Sequence, residues 1–328
     1  MLLTGPLPVE QAPLHLADIP APTPAPGEVR LRIHCCGLCH TDLHTAEGDL
    51  PLPKVPVVPG HQIVGTIDAT GAGVRQFKEG DRVGIPWLYS TDQTCTYCRR
   101  DLENLCDQGR FTGYHVNGGY AEAITIHEAY SYPIPPIFSD EAAAPLLCAG
   151  IIGYRSYRLS GIKDGERLGL YGFGASAHIV LQMARHQKQE VYVFTRAPLH
   201  RELARQMGAA WIGAAEDPPP HPLDAAIIFA PAGALVPQAL RALRKAGTLT
   251  LAGITMSAIP QMDYSLLYQE RIIRSVANST RRDAREFLEL AAEVPVKTEV
   301  SVYPLEQANQ ALDDLKHSRF KAAGVLRI

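Results

Sequence analysis

The 328-residue chain lacks the features that would connect it with a membrane or with nucleic acid. No uninterrupted apolar run approaches transmembrane length, and the first residues contain no basic region followed by a long apolar core. The formal net charge is only −3, so no strongly basic surface is expected to bind nucleic acid or an anionic bilayer. We therefore expect a cytoplasmic protein with neither a membrane nor nucleic acid as partner.

Internal repeats are also lacking, and the length is sufficient for two domains with sizeable cores. The first ~130 residues are rich in Pro and Gly, with short β-branched runs at 29–33, 63–67 and 120–126. Short strands with frequent turn signals predict an irregular β-barrel.

The pattern changes near Ser139, where apolar strands begin to alternate with Ala-rich helices. Strands are predicted at 167–171, 191–195, 225–230 and 248–252, with helices at 175–187, 199–207 and 235–244. This alternation indicates right-handed βαβ units, hence an α/β region with a doubly wound parallel sheet. A helix at 282–292 and a strand at 324–328 complete the predicted elements.

A glycine-rich turn joins the first strand and helix of this α/β region. Gly172 and Gly174 permit a tight turn and the close approach of a pyrophosphate, and Ala177 is small enough for helix–strand packing. The helix N-terminus supplies donors and a positive dipole to the phosphates. The pattern predicts dinucleotide binding, and the alternative is a tight turn in a sheet that binds no cofactor.

Three of the seven cysteines are clustered in one short segment. Cys95, Cys98 and Cys106 form a C-x2-C-x7-C run, which is typical of a loop that closes around a structural metal ion.

A second set of metal-ligating residues is dispersed along the chain and consists of Cys39, His61 and Cys148. Three ligands from distant segments predict a site that the fold assembles, with a fourth position open to water or substrate. Cys35 and Cys36 lie beside this set, and we interpret both as small buried residues of a strand.

Residues 37–44, 59–62 and 145–150 carry the dispersed set, and they occur in order at separations that resemble one known family. From about residue 25 to its end, the chain resembles a zinc-dependent medium-chain alcohol dehydrogenase of the bacterial type. The resemblance implies a GroES-like β-barrel catalytic domain, with a structural zinc lobe, at residues 1–148 and 281–328. It implies a Rossmann dinucleotide-binding domain at residues 149–280.

The resemblance also implies roles for single residues around the dispersed set. These are Cys39, His61 and Cys148 as ligands of a catalytic zinc ion, Thr41 as the hydroxyl beside the alcohol oxygen, His44 as the end of a proton relay to solvent, His40 as a contact of the cofactor pyrophosphate, and Asp42 as the residue that orients His61. Two thiolates and a neutral imidazole bring the zinc site to zero net charge, and zinc still lowers the pKa of a bound alcohol. An imidazole titrates in the range that the relay needs.

The chain departs from the family at two metal-site positions. Asp92 stands where the first of four lobe cysteines is usual, and a carboxylate oxygen can bind zinc at about the distance of an imidazole nitrogen. We therefore expect a second, structural zinc ion at Asp92, Cys95, Cys98 and Cys106, weakened by the harder oxygen ligand. The alternative is an empty lobe with reduced cysteines. Gln62 replaces a usual Glu and lacks the charge that could assist ligand exchange.

The substrate pocket is implied only in outline. The resemblance places Trp87 beside the zinc as a bulky wall, puts Leu50 where relatives often carry a large aromatic residue, and presses Ile152 on the nicotinamide face. One aromatic and one aliphatic wall favour primary and modest secondary alcohols, with the aldehyde or ketone as the other reactant.

The end of the second predicted Rossmann strand bears on the choice between NADP and NAD. NAD enzymes place an acid there on the ribose 2′-hydroxyl, but residues 191–196 contain no carboxylate. Thr195 can donate a hydrogen bond to a 2′-phosphate, and Arg196 can offer it a planar fork of donors. We expect NADP to be used at least as well as NAD. The alternative is that Arg196 points to solvent and the enzyme uses NAD.

Two other function classes remain open at the level of sequence. A zinc-free quinone or alkene reductase of the same superfamily would lack the ligand set, which this chain retains. A non-catalytic dinucleotide-binding protein would have no need of Thr41 and His44. Bacterial relatives imply a homo-oligomer, either a tetramer or a dimer.

Overall fold

The computed structural model describes residues 1–320 and 322–328 of the chain. These residues form two compact units. The first unit contains Met1–Cys148, Ser279–Ala292 and Thr298–Ile328, and the second contains Ala149–Asn278 and Glu293–Lys297. Within the described residues, no helix combines the length and the apolar character that a bilayer span requires.

The first 148 residues form short strands and helices separated by long turns. In chain order they are β1 (Leu2–Leu3), β2 (Leu14–His15), β3 (Glu28–Gly37), α1 (His40–Glu47), β4 (Gln62–Thr70), β5 (Arg82–Ile85), β6 (Leu88–Ser90), β7 (Arg110–Phe111), β8 (Ala123–His127), β9 (Tyr132–Pro133) and α2 (Asp140–Ala143). Short 3-10 helices occur at Val9–Gln11, Cys98–Arg100, Glu103–Leu105, Glu128–Tyr130 and Ala144–Leu147.

The remaining residues alternate between helices and strands. They are α3 (Ala149–Ser160), β10 (Arg167–Tyr171), α4 (Ala175–His186), β11 (Glu190–Phe194), α5 (Pro198–Gln206), β12 (Trp211–Gly213), β13 (Leu223–Ile228), α6 (Leu235–Ala242), β14 (Leu243–Leu251), β15 (Ile272–Ser275), α7 (Arg281–Glu293), β16 (Val300–Pro304), α8 (Ala308–Lys316) and β17 (Ala323–Arg327). Two further 3-10 helices lie at Tyr264–Leu266 and Leu305–Gln307.

Strand β3 is the centre of a seven-stranded mixed sheet in the first unit. The strand order is β16-β17-β3-β4-β5-β9, and β8 also pairs with β3. On one edge, β8 pairs with the first residues of β3 and β17 with its last, whereas β4 follows nearly its whole length on the other edge. Inward-facing aliphatic residues such as Leu31, Ile67 and Ile126 are fully buried and form the core of this unit.

The second unit contains a six-stranded sheet in which every pair of neighbours is parallel. Its order is β12-β11-β10-β13-β14-β15. The chain moves outward from β10 to β12 and then crosses to β13 on the other side, which is the doubly wound order. The predicted Rossmann sheet is therefore confirmed. Folds of this order bind ligands outside the carboxyl ends of their strands, where the order reverses.

Several predicted elements begin or end at other residues in the structure, and the backbone pairing explains two of these differences. Helix α6 stops at Ala242 rather than at residue 244, because Leu243 already pairs with Leu223 as the first residue of β14. Strand β8 begins at Ala123 rather than at Tyr120, because the Tyr120 N–H donates to the Pro59 carbonyl in a turn.

The units also differ from the predicted domain bounds by a few residues. The resemblance places residues 293–297 in the first domain, but the Gln182 side chain in the second unit binds both the backbone N–H and the carbonyl of Lys297, each at 2.8 Å. It places Ser279 and Thr280 in the second domain, but they belong to the first unit, where Thr280 caps the helix that contains Asp283.

Candidate active site

Asp42 organises the dispersed ligand set from the first turn of helix α1. Cys39 precedes this helix with an extended backbone, and the buried Asp42 carboxylate accepts its N–H at 2.8 Å. The same carboxylate accepts the N–H of Gly60 and the ring Nδ1–H of His61, both at 3.1 Å. One carboxylate therefore holds the two segments that carry Cys39 and His61, and it selects the imidazole tautomer.

His61 has a second ring nitrogen besides the Nδ1 that binds Asp42. Its Nε2 is buried and has no hydrogen-bond partner among the described residues. A ring nitrogen of His61 and the Sγ atoms of Cys39 and Cys148 all lie within 4.8 Å of one another, and the two sulfurs are 3.7 Å apart. Sulfurs bound to one tetrahedral zinc ion would lie roughly 3.8 Å apart, whereas a disulfide bond spans about 2 Å. The three atoms fit a tetrahedral metal ion with one position left open.

The neighbouring groups of this set shift one another's pKa values. The hydrogen bond from Cys148 lowers the pKa of the Cys39 thiol, and that bond together with burial raises the pKa of Cys148. Burial disfavours a charged His61, but the Asp42 and Cys39 interactions outweigh it and raise the pKa of His61 to about 10. Without a metal, the set therefore holds protons that a divalent cation would displace.

The other predicted residues of α1 lie next to this set. Thr41 is 7% exposed, and its Oγ1 lies 3.7 Å from the Sγ of Cys39. His44 is one turn further along, with its Nδ1 2.8 Å from Oδ2 of Asp49. His40 is exposed, and its ring centroid is 6.4 Å from that of His44. The helix thus places a hydroxyl near the sulfurs and an imidazole toward a half-exposed carboxylate.

Asp49 was missed by the sequence analysis. Gly48 follows the last residue of helix α1 with a φ of +82°, in the left-handed region, and this turn returns Asp49 to His44. A glycine directly after a helix followed by an acid was the available signal. The carboxylate fixes which nitrogen of His44 carries the proton when the ring is neutral.

Trp87 forms an aromatic wall beside His61. The two ring centroids are 4.7 Å apart in an edge-on arrangement. Phe111 stacks on Trp87 at 5.1 Å, and Tyr114 lies 5.7 Å from it. Phe111 and Tyr114 were missed because they reach Trp87 only through the pairing of β6 with β7.

Leu50 and Gln62 flank the set in different ways. Leu50 is partly buried, and its N–H donates to the His44 carbonyl at 3.4 Å. Gln62 is buried beside Gly37, and its Oε1 has no partner among the described residues. The residue that follows His61 in the sequence is therefore buried and uncharged.

The clustered set converges in the segment between β6 and β7. One ligand atom from each of Asp92, Cys95, Cys98 and Cys106 lies within 4.8 Å of the others. The backbone N–H of Asp92 donates to Cys106 Sγ at 3.5 Å, and that of Cys98 donates to Cys95 Sγ at 3.4 Å. The loop is thus folded around its sulfur atoms.

Charges within this cluster require compensation. Backbone donors at Cys95 and Thr94 lower the pKa of Asp92, so its carboxylate stays ionised. Desolvation, with the neighbouring Cys95, Asp92 and Cys106 groups, raises the pKa of Cys98 to about 12. Four anionic donors at this spacing become jointly stable only around a cation.

Cys35, Cys36 and a surface group of two carboxylates and a histidine lie outside the two ligand sets. Cys35 and Cys36 are fully buried in β3, and burial raises the pKa of both thiols. Glu10, Asp313 and His317 form a third surface group, but Lys316 also binds Glu10 at 2.7 Å. A lysine ammonium already neutralises that group.

The glycine turn leaves space where a cofactor phosphate would lie. Gly172 has a φ of +86°, which a side chain would strain, and its N–H donates to the carbonyl of Phe194 at 2.9 Å. A Cβ placed on Gly174 would meet no atom within 4 Å, so the backbone before α4 borders open space. Ala177 is fully buried in the helix. His178 binds the Gly174 carbonyl through Nδ1 at 3.2 Å.

Three further predicted cofactor residues, Thr195, Arg196 and Ile152, belong to the same unit as the glycine turn. Thr195 is buried immediately after β11, while Arg196 is exposed and pairs with Glu216. Ile152 is partly buried on α3. Glu216 was missed because it follows a different strand, and only the pairing of β11 with β12 brings it near Arg196.

Comparisons with known proteins agree with the fold. The family model of the alcohol dehydrogenase GroES-like domain matches residues 25–136. A probable alcohol dehydrogenase, AdhA, of Mycobacterium tuberculosis is 49% identical over 329 residues, covering 98% of this chain and 95% of that protein. An alcohol dehydrogenase of Geobacillus stearothermophilus is 37% identical, with 96% of each chain covered.

Solved structures are also similar over nearly the whole chain. The structure of CAD from Helicobacter pylori complexed with NADP(H) superposes with a TM-score of 0.85 at 26% identity, covering 93% of this chain and 91% of that one. The cinnamyl alcohol dehydrogenase SbCAD4 of Sorghum bicolor has a TM-score of 0.87, also at 26% identity, with 94% and 92% covered.

Proposed function

Because this chain belongs to the zinc-type medium-chain alcohol dehydrogenase family, we propose that it transfers a hydride reversibly between an alcohol and NAD(P) at a zinc ion held by Cys39, His61 and Cys148. It is an NAD(P)-dependent oxidoreductase that acts on CH–OH groups. The observation that carries the site assignment is the buried, unpartnered Nε2 of His61 beside two sulfurs 3.7 Å apart.

Zinc in this position would lower the pKa of an alcohol bound at the open fourth position. The chain's own contribution is to fix the donors before the metal arrives. Asp42 orients His61 and thereby aims its Nε2, and Cys39 and Cys148 supply negative charge that balances a divalent cation. A metal site with zero net charge favours departure of the hydride, because it binds the oxygen of the deprotonated alcohol less strongly than a positively charged site would.

Thr41 and His44 would carry the alcohol proton to solvent. The Thr41 hydroxyl lies within 3.7 Å of a proposed ligand atom, so it can accept a proton there while passing on its own. His44 would then release the proton to solvent, and Asp49, whose Oδ2 lies 2.8 Å from the His44 Nδ1, holds the ring in place. Asp49 is therefore added to the proposed relay.

The cofactor is proposed to bind along the glycine turn. Gly172, Gly174 and the N-terminus of α4 would hold the pyrophosphate, and the small side chain of Ala177 allows the helix to pack close to the sheet. His40 adds a contact to the pyrophosphate from α1, and Ile152 packs on the nicotinamide. Thr195 and Arg196 bind the 2′-phosphate of NADP, so we propose that NADP is used at least as well as NAD.

The pocket beside His61 favours small substrates with a flat or linear side chain. Trp87 presents an aromatic wall, supported by Phe111 and Tyr114, and Leu50 offers an aliphatic surface. We propose primary and modest secondary alcohols, straight-chain or benzylic, with the matching aldehydes or ketones as products.

Asp92, Cys95, Cys98 and Cys106 are proposed to hold a second zinc ion with a structural role. The first unit, which contains Met1–Cys148, would form the catalytic domain, and the second unit, which contains Ala149–Asn278, the dinucleotide-binding domain. We further propose that the protein acts in the cytoplasm as a homo-oligomer, a tetramer or a dimer.

The test combines catalysis with metal dependence. Purified protein should reduce NAD(P) when an alcohol is supplied, as followed by the absorbance of the reduced nicotinamide. Cys39→Ser and His61→Ala should abolish that turnover and lower bound zinc, whereas Cys35→Ser should leave both unchanged. Alcohol-dependent turnover that persists at full rate in His61→Ala would contradict the proposed site, and dinucleotide-dependent reduction of alkenes or quinones alone would favour a zinc-free reductase.

A further inference from the structure

Three neighbouring strands of the second unit deliver their carboxyl ends to one edge of the sheet. The N–H of Gly172, after β10, donates to the carbonyl of Phe194 at the end of β11. The N–H of Thr195 in turn donates to the carbonyl of Gly213 at the end of β12, also at 2.9 Å. The glycine turn, Thr195 and the residues after Gly213 therefore lie side by side, and the adenine ribose of a dinucleotide binds at this position in doubly wound folds.

The charged groups at this edge come from two different strands. Arg196 follows β11, and Glu216 follows β12 by three residues. Their side chains form an ion pair, although 76% of Arg196 and 48% of Glu216 are exposed. The hydrogen bond from its own backbone N–H and the bond from Arg196 lower the pKa of Glu216, so the pair is ionised near neutral pH.

The partners of Arg196 differ from those of Arg201, the other arginine at this edge of the sheet. Arg201 donates to the Thr195 carbonyl at 3.2 Å and is committed to the backbone. Arg196 has only the ion pair among the contacts that the structure describes for it. Exposed ion pairs are weak, so a ligand of higher negative charge can take this guanidinium from Glu216.

We propose that Glu216 is a specificity-determining residue for the nicotinamide cofactor, because it competes with the 2′-phosphate of NADP for Arg196. The inference rests on the proposed use of NAD(P). NADP must displace or share the Glu216 carboxylate, whereas NAD has no 2′-phosphate and leaves the ion pair intact. Glu216 therefore restrains the affinity for NADP and keeps it comparable with that for NAD.

The proposal is tested by dinucleotide binding rather than by turnover. Dissociation constants for NADPH and NADH are measured by fluorescence titration for the wild type, Glu216→Gln, Arg196→Ala and the double variant. Glu216→Gln should strengthen NADPH binding roughly two- to fivefold, the range expected from releasing an exposed ion pair, and change NADH binding less than about twofold. In the Arg196→Ala background, Glu216→Gln should have no such effect.

Glu202→Gln is the matched control, because Glu202 pairs with Arg205 on α5 and its removal changes the net charge equally. It should leave the ratio of the two dissociation constants unchanged. Equal effects of Glu216→Gln on both cofactors would overturn the proposal. So would an undiminished effect in the Arg196→Ala background, since the carboxylate would then act on the phosphate directly.

Failure of the proposed function gives a different result. In that case, neither NADPH nor NADH binds the wild type, or both bind without alcohol-dependent turnover.

Discussion

At the scale of single residues, Asp42 connects the dispersed ligands to the fold. Its carboxylate accepts the backbone N–H groups of Cys39 and Gly60 and the ring N–H of His61, and it is 2% exposed. A carboxylate that orients a metal-binding imidazole raises the basicity of that ligand and fixes its direction. The negative charge of Asp42 therefore matters as well as its shape.

Asp42→Asn keeps the shape and removes the charge. Because the amide also replaces one acceptor atom by a donor, we expect zinc affinity at the His61 site to fall about 10- to 100-fold. The measurement is competition with a chelator of known affinity, followed by elemental analysis. Asp68→Asn, which breaks an exposed pair with Arg30 in the same unit, is the control. Equal zinc affinity in Asp42→Asn and wild type would contradict this role.

Thr41→Ala removes the hydroxyl proposed to accept the alcohol proton. We expect the rate of hydride transfer to fall ~10²–10⁴-fold, the usual worth of general acid–base assistance, while cofactor binding stays close to that of the wild type. Thr41→Ser retains the hydroxyl and should recover most of the rate. His44→Gln should cost less than Thr41→Ala, because water can partly replace the imidazole.

Single-turnover measurements with a deuterated alcohol establish that hydride transfer limits the rate that is compared. A near-normal rate in Thr41→Ala under those conditions would refute the relay.

At the scale of elements, the segment between β6 and β7 has little regular structure of its own. It contains two 3-10 helices of three residues each, Cys98–Arg100 and Glu103–Leu105. The buried carboxylate of Glu103 accepts the backbone N–H of Arg281 at 2.9 Å, which connects the segment to helix α7 of the same unit. We therefore expect a metal ion bound by the cysteine cluster to supply much of the internal cohesion of this segment.

Cys95→Ser should separate stability from chemistry. Loss of one thiolate should release the structural zinc ion, lower the bound zinc from two ions per chain to one, and lower the thermal unfolding midpoint. Activity per folded molecule at low temperature should largely persist, since the His61 site is unaltered. If Cys95→Ser loses catalysis without losing thermal stability, the cluster is not structural.

Helix α4 carries a histidine that responds to pH. His178 is fully buried, and burial lowers its pKa from the ordinary 6.5 to about 4, while its Nδ1 binds the Gly174 carbonyl. Between pH 6.5 and 4 the unfolded chain binds a proton that the folded chain does not. Stability should therefore fall as the pH decreases through this window, by on the order of 2–3 kcal/mol.

His178→Asn keeps a donor near the Nδ1 position and removes the titration. Its free energy of unfolding, measured with urea at a series of pH values, should depend less on pH between 6.5 and 4 than that of the wild type. His186→Asn, at an exposed position of the same helix, should retain the wild-type dependence. An unchanged slope in His178→Asn would show that another group causes the acid sensitivity.

At the scale of the whole molecule, the two metal sets predict a fixed stoichiometry. Elemental analysis of the purified protein should give two zinc ions per chain, because each set converges within 4.8 Å. Gradual chelation should remove activity together with one ion and thermal stability together with the other. A count of one or none in protein purified without chelators would contradict the assignment of both sites.

Features that depend on short spacings can be predicted from the amino-acid sequence. Cys95, Cys98 and Cys106 lie in one loop, and Gly172 and Gly174 follow one strand, so local geometry alone brings them together. The doubly wound sheet followed from alternating strands and helices, since hydrophobic periodicity is a local signal. The family resemblance also rests on local signals, namely short motifs that occur in a fixed order along the chain.

Contacts between side chains that are distant in the sequence become visible only in the folded chain. The 3.7 Å separation of the Cys39 and Cys148 sulfurs and the unpartnered Nε2 of His61 depend on α1 and the 3-10 helix before Cys148 being placed by the same unit. The pairing of Arg196 with Glu216 depends on the register of β11 with β12. Such contacts join residues that are far apart in the chain. Hydrophobic periodicity indicates which face of an element is buried, but it does not indicate which distant side chain will pack against it.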